Sequence, residues 1–144
     1  MSIPTTGIST EAQKFNWLVS RFARETADVG AVIVVSSDGL LIGRSSGLDR
    51  AVADRLAAIT SAMRSLALGV SDSYPLGVPD KVVIEMTQGF MLVCTISAGC
   101  ALGVLASSHA SLGTLAYEMA VFANRASEAL SPRLIDELRF SVGL

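Results

Sequence analysis

The 144-residue chain is poor in almost every group on which enzyme chemistry is built. Its one histidine, His109, excludes any metal site that needs two imidazoles and leaves a single candidate general base of that type. The two cysteines, Cys94 and Cys100, lack the spacing of a zinc site, and in an intracellular setting such a pair stays reduced. Lysine occurs only at positions 14 and 81, and charged residues make up 17% of the chain, below the roughly 25% of ordinary domains. With a net charge of −2 and no basic run, a nucleic acid is excluded as main partner, because phosphate neutralisation needs clustered cations. No apolar run approaches the ~20 residues of a membrane-spanning helix, and "MSIPTTGISTEAQ" lacks the basic-then-apolar order of a secretory signal. The expectation is a cytoplasmic protein with no membrane insertion. Neither GxxxxGK[ST] nor GxGxxG occurs, so no nucleotide or other cofactor is expected.

Apolar residues, in contrast, are plentiful. At 51% of the chain they outrun what one core consumes and imply that some apolar surface faces another polypeptide. Their pattern reads as helix, two strands, helix, three strands, helix. Residues 1–9 are a flexible lead, 10–130 the domain and 131–144 a tail or short helix. Thr10 is placed to cap a first helix whose buried face carries Phe15, Leu18, Val19 and Phe22. Gly30 breaks the chain into the Val/Ile-rich strand Ala31–Ser36, apolar at successive positions and so covered on both faces. Ser37-Asp38-Gly39 then turns it into a returning strand, because an Asp-Gly pair between apolar runs is a strong hairpin signal. Asp38 finds no catalytic partner in the sequence, and its role is to turn the chain.

The second helix, from Asp49 to Leu68, presents Val52, Leu56, Ile59, Met63 and Leu66 at core spacing. Small residues flank that stripe: Ala53, Ala57, Thr60 and Ala67 on one side, Ala51, Ala58 and Ala62 on the other. They fit either close approach of a second helix or simple helix propensity. After the loop "VSDSYPLGVPD", Lys81–Met86 alternates as an edge strand would, and two further strands complete a meander. The last helix starts near Ser111, presents Leu112, Leu115, Met119, Phe122 and Ala126, and closes at Ser131-Pro132. The fold class is α/β in the α+β sense: one five-stranded antiparallel sheet with helices on its faces. Cys94 reads as core filler and Cys100 as a residue of an exposed turn. The remaining acids stand singly at turns and helix starts, so no catalytic constellation is expected.

The runs "FNWLVSRFARETADVGAVIVVSSDGLLIGRS", "GLDRAVADRLAAI" and "DKVVIEMTQGFMLVCTISAGCALGVLAS" resemble the roadblock family, the dynein light-chain type domain, over about Phe15 to Leu130. The resemblance implies a profilin-like arrangement with the middle helix on one face and the terminal helices on the other. It also implies a homodimer made by pairing the middle helices and the third strands, which assigns Ala53, Ala57, Thr60, Ala67, Val83 and Glu85 to the seam. Bacterial members similar to this chain work beside a small Ras-like GTPase, sometimes with a sensor histidine kinase encoded nearby, as non-catalytic regulators or scaffolds; some accelerate hydrolysis. The polar side of the middle helix, Arg50, Asp54, Ser61 and Arg64 with Leu68 as an exposed apolar anchor, is the expected GTPase surface. Arg44, Arg50, Arg55 and Arg64 are the arginines near enough to reach a partner's nucleotide. The alternative is a small-molecule sensor of PAS- or GAF-like architecture, against which stand the 6% aromatic content and strands filled with small aliphatics.

Overall fold

The computed structural model describes residues 8–97 and 99–141. The elements run α1 (Thr10–Glu25), β1 (Val29–Val35), β2 (Leu41–Arg44), α2 (Arg50–Ser73), β3 (Lys81–Met86), β4 (Gly89–Thr95), β5 (Ala101–Ser107), α3 (Leu112–Ala129) and α4 (Pro132–Ser141). All five strands form one antiparallel sheet in the order β2-β1-β5-β4-β3. Successive side chains of β1 divide between its faces: Val32 and Val34 join α1 and α3, whereas Ile33 and Val35 join α2. The unbroken apolar run of the sequence is therefore a strand covered on both sides, as read. The larger core encloses Phe15, Val19, Phe22, Leu115, Met119 and Phe122, with the Phe22 and Phe122 rings 5.0 Å apart.

Several boundaries differ from the sequence reading, each for a local reason. Ser9, not Thr10, caps α1; its hydroxyl accepts from the Ala12 N–H at 3.1 Å and donates to Glu137. The rest of the expected flexible lead, residues 1–7, lies outside the described residues. The chain breaks before β1 at Asp28, which takes φ 67°, and Gly30 is an ordinary strand residue. The helix α2 continues past Gly69 to Ser73, since one glycine costs a helix only about 1 kcal/mol. Tyr74 ends it in an extended conformation, the conformation favoured before a proline. Cys100 is fully buried, not exposed in its turn.

At the C-terminal end, of the expected tail or short helix the structure has the helix, ten residues long, capped by the Ser131 hydroxyl at the Leu134 N–H with Pro132 in its first position. Its place in the core was not expected. Its Leu134, Ile135 and Leu138 are buried in the same core as α1 and α3. Glu137 accepts from both the N–H and the hydroxyl of Ser9, at 2.6 Å each, tying α4 to the start of α1. Those two bonds hold its carboxyl below the ordinary carboxylate range.

Candidate functional site: the flanks of the second helix

The core stripe expected of α2 divides in the structure. Met63 is buried and Leu56 half-buried, but Val52, Ile59 and Leu66 are 38%, 39% and 73% exposed. The line that faces the sheet is Ala53, Ala57, Thr60 and Met63. The cause is how closely the helix lies on the strands. A Cβ placed on Gly103 of β5 would stand 2.6 Å from Thr60 Oγ1, so only small side chains fit between the two backbones. Ala53, Ala57 and Thr60, assigned to the dimer seam, are thus enclosed within one chain and cannot touch a second. Ala67, the fourth, is half-buried near the end of α2.

The large side chains displaced by that approach form a surface of their own. Val52, Ile59 and Leu66 recur every seven residues on the side of α2 next to Leu56 and Met63, which pack towards β3 and β4. Among the described residues β3 has β4 as its single neighbour, so its outer edge is unpaired there. Val82 packs towards α2, and alternation puts Ile84 and Met86 on the same side, 40% and 49% exposed. Val83 and Glu85 alternate onto the opposite side and are exposed there. An open edge beside a row of exposed aliphatics is a surface that isolated proteins avoid.

The opposite flank of α2 is polar, and the structure divides the expected GTPase set in two. Arg50 and Asp54 are exposed and paired to each other, Nε to Oδ1 at 3.1 Å. Ser61, Arg64 and Leu68 instead lie towards the strand tips, Leu68 half-buried and not the exposed anchor expected; the exposed leucine near this end of α2, Leu66, belongs to the aliphatic row on the other flank. The β1–β2 hairpin reaches Ser61 because Gly39, at φ 84°, carries no side chain: a Cβ there would be 3.2 Å from Ser61 Oγ. Asp38 turns the chain as expected but does have partners. The Ser36 hydroxyl donates to it, and the Arg139 guanidinium of α4 stands 3.5 Å away. Ser36 first, and Arg139 to a lesser degree, hold its carboxyl below the ordinary range. Arg139, which also reaches Asp136 at 3.2 Å, is the residue that sequence reasoning missed. Of the other arginines, Arg44 donates to the Leu48 carbonyl at 2.8 Å and Arg55 is exposed.

Reactive chemistry finds little footing here. Burial, with Asp80 adding to it, pushes the Cys94 thiol up to about 11, and burial raises that of Cys100. Both are protonated at neutral pH and weakly nucleophilic. Among the described residues no group of three or more His, Cys, Asp or Glu is placed to hold a metal ion. Among the described residues no helix is long and apolar enough to cross a membrane. His109 lies on the far face, at a groove of about 480 Å³ between α1 and α3, where its N–H donates to Ser107 Oγ at 3.3 Å. The side chains offer a surface for contact.

A five-stranded antiparallel sheet carrying one helix on one face and the terminal helices on the other defines a profilin-like α+β domain. Within that class a sequence model of the Roadblock/LC7 domain matches residues 15–106, and the chain belongs to that family. A Roadblock/LC7 domain structure from Streptomyces avermitilis is 30% identical, covers 78% of this chain and 94% of its own, and superposes with a TM-score of 0.74. MglB of Myxococcus xanthus shares the fold at 16% identity, covering 80% of this chain and 93% of its own with a TM-score of 0.72. MglB in a tetrameric arrangement shares it at 13% identity, over 91% and 94% of the two chains, with a TM-score of 0.74. A sequence comparison with curated proteins finds no match. The match over 15–106 claims the segment that a PAS- or GAF-like reading would have needed.

Proposed function

We propose that the protein is a cytoplasmic homodimer that binds a small Ras-like GTPase and regulates or scaffolds it without an active site of its own. Two copies meet through Val52, Ile59 and Leu66 of α2 and the free edge of β3, with Val83 and Glu85 at that edge. This replaces the alanine seam. The observation that carries the dimer is the exposed heptad of aliphatics beside an unpaired edge strand, a surface that costs solubility unless covered. Self-association accords with the tetrameric arrangement of MglB, a protein of the same fold. The GTPase follows from family membership together with the polar flank of α2, where Arg50, Asp54, Ser61, Arg64 and Leu68 stay clear of the aliphatic row. A flank of mixed charge suits a reversible contact.

The test is a binding measurement between the protein and the Ras-like GTPase encoded beside it, loaded in turn with GDP and with a GTP analogue. Wild-type protein binds in one of the two states, and the double variant Arg50→Glu, Arg64→Glu binds at least about tenfold more weakly while keeping its circular dichroism spectrum. Absence of binding in both states removes the GTPase reading, and wild-type affinity in the double variant moves the contact elsewhere.

A further inference from the structure

The outer edge of β3 carries an order of charges that is its own complement. Along Lys81-Val82-Val83-Ile84-Glu85 a cation opens the edge, an anion closes it, and aliphatics separate them. Lys81, Val83 and Glu85 lie on the side away from α2, and Val82 and Ile84 on the side of α2. All but the half-buried Val82 are exposed. Glu85 has no ion pair among the described residues. Lys81 reaches its neighbour Asp80 at 3.1 Å, in an exposed pair that holds it weakly. The alternation limits how two such edges can join. If they pair antiparallel about a two-fold axis with both α2 helices on one side, each residue opposes one of its own side. The axis then passes through a residue of β3 and never between two.

We propose that β3 recognises a second identical copy by this order of charges, in the register centred on Val83, with Lys81 and Glu85 as the specificity-determining pair. In that register Lys81 meets Glu85 of the second copy, Val82 meets Ile84, Val83 meets Val83, and symmetry makes the ion pair twice. Centred on Ile84, the edges would set Glu85 against Val83 and Lys81 against Thr87, past the end of the strand. Centred on Val82, they would set Lys81 against Val83 and Glu85 against Pro79, which has no N–H for the ladder. Opposite charges directly across two strands attract and like charges repel, so the register on Val83 prevails. A foreign edge without the reversed order would face Lys81 or Glu85 with an apolar or like-charged residue. This inference rests on the dimer reading above and supplies what that reading leaves open, the register and the reason the partner is an identical chain.

The experiment is a charge exchange in the full chain, read by sedimentation equilibrium and native mass spectrometry. Lys81→Glu opposes two carboxylates at both ends of the ladder, and Glu85→Lys opposes two ammonium groups. Each variant alone dimerises at least about tenfold more weakly than wild type. Mixed, the two variants regain both ion pairs and form the heterodimer in at least about tenfold excess over either homodimer. Because each chain rescues the other, misfolding does not account for the loss. The register is read separately by trapping with oxidised glutathione. Val83→Cys yields a covalent dimer, since directly opposed residues stand ~4.5–5.5 Å apart at Cα, within disulfide reach. Val82→Cys and Ile84→Cys each meet their own copy only on a diagonal of ~7–8 Å and are trapped far more slowly. A monomeric wild-type chain removes the dimer reading and this inference with it. A wild-type dimer overturns the inference alone if its charge variants self-associate at wild-type strength or mix without preference. Trapping through Ile84→Cys or Val82→Cys ahead of Val83→Cys does the same.

Discussion

Asp38 shows how a residue can be read correctly in its local role and still be incomplete. The turn it makes is visible in Ser-Asp-Gly, but the bond from Ser36 and the approach of Arg139 arise only when α4 packs beside the hairpin. Because these partners lower its folded pKa, the stabilisation they supply is complete above the ordinary carboxylate range near pH ~4 and is lost as pH falls through the lower folded value. Asp38→Asn keeps the turn geometry and removes the ion pair, so it costs no more than about 1 kcal/mol at neutral pH, with the pair half-exposed. Denaturant unfolding of both proteins across the acid range shows the difference shrinking as pH falls. A difference that grows on acidification would contradict this assignment.

At the scale of elements, α2 illustrates that helical spacing locates a stripe without choosing among its rows. Val52, Ile59 and Leu66 fit a core row as well as Ala53, Ala57 and Thr60 do, and hydrophobicity alone favours the larger set. Gly103 decides between them, since the short distance from β5 to Thr60 leaves room only for small side chains. The two rows consequently respond differently to charge. Ile59→Glu keeps a monomer with native circular dichroism and raises the dimer dissociation constant at least about tenfold, which sedimentation equilibrium measures. Ala57→Glu buries an unpaired carboxylate between helix and sheet and costs several kcal/mol of folding free energy, seen as a lost or strongly lowered thermal transition. If Ala57→Glu dissociated a folded dimer and Ile59→Glu did not, the rows would be exchanged.

For the molecule as a whole, α4 completes the core on the face of the terminal helices. Leu138 is wholly buried there beside Leu134 and Ile135, and Glu137 and Arg139 fasten the helix to Ser9 and Asp38. Leu138→Ala removes a buried branched side chain and leaves a void, so the domain loses about 2–5 kcal/mol by denaturant unfolding. A loss under about 0.5 kcal/mol would show α4 to be an appendage outside the core.

What the sequence determined by itself was everything governed by neighbours along the chain. The Val/Ile run of β1, the Asp-Gly turn, the alternation of β3 and the spacing of α3 lead to element order and fold class without any long-range information. The family likeness rests on the same local runs. What only the tertiary structure decided was which of several plausible partners each residue meets. The rotation of α2 depends on a glycine in β5 over forty positions away, and the company of Asp38 on an arginine in α4. Local pattern sets backbone periodicity, while burial and pairing depend on distances between segments far apart in the chain, and those distances exist only in the folded molecule.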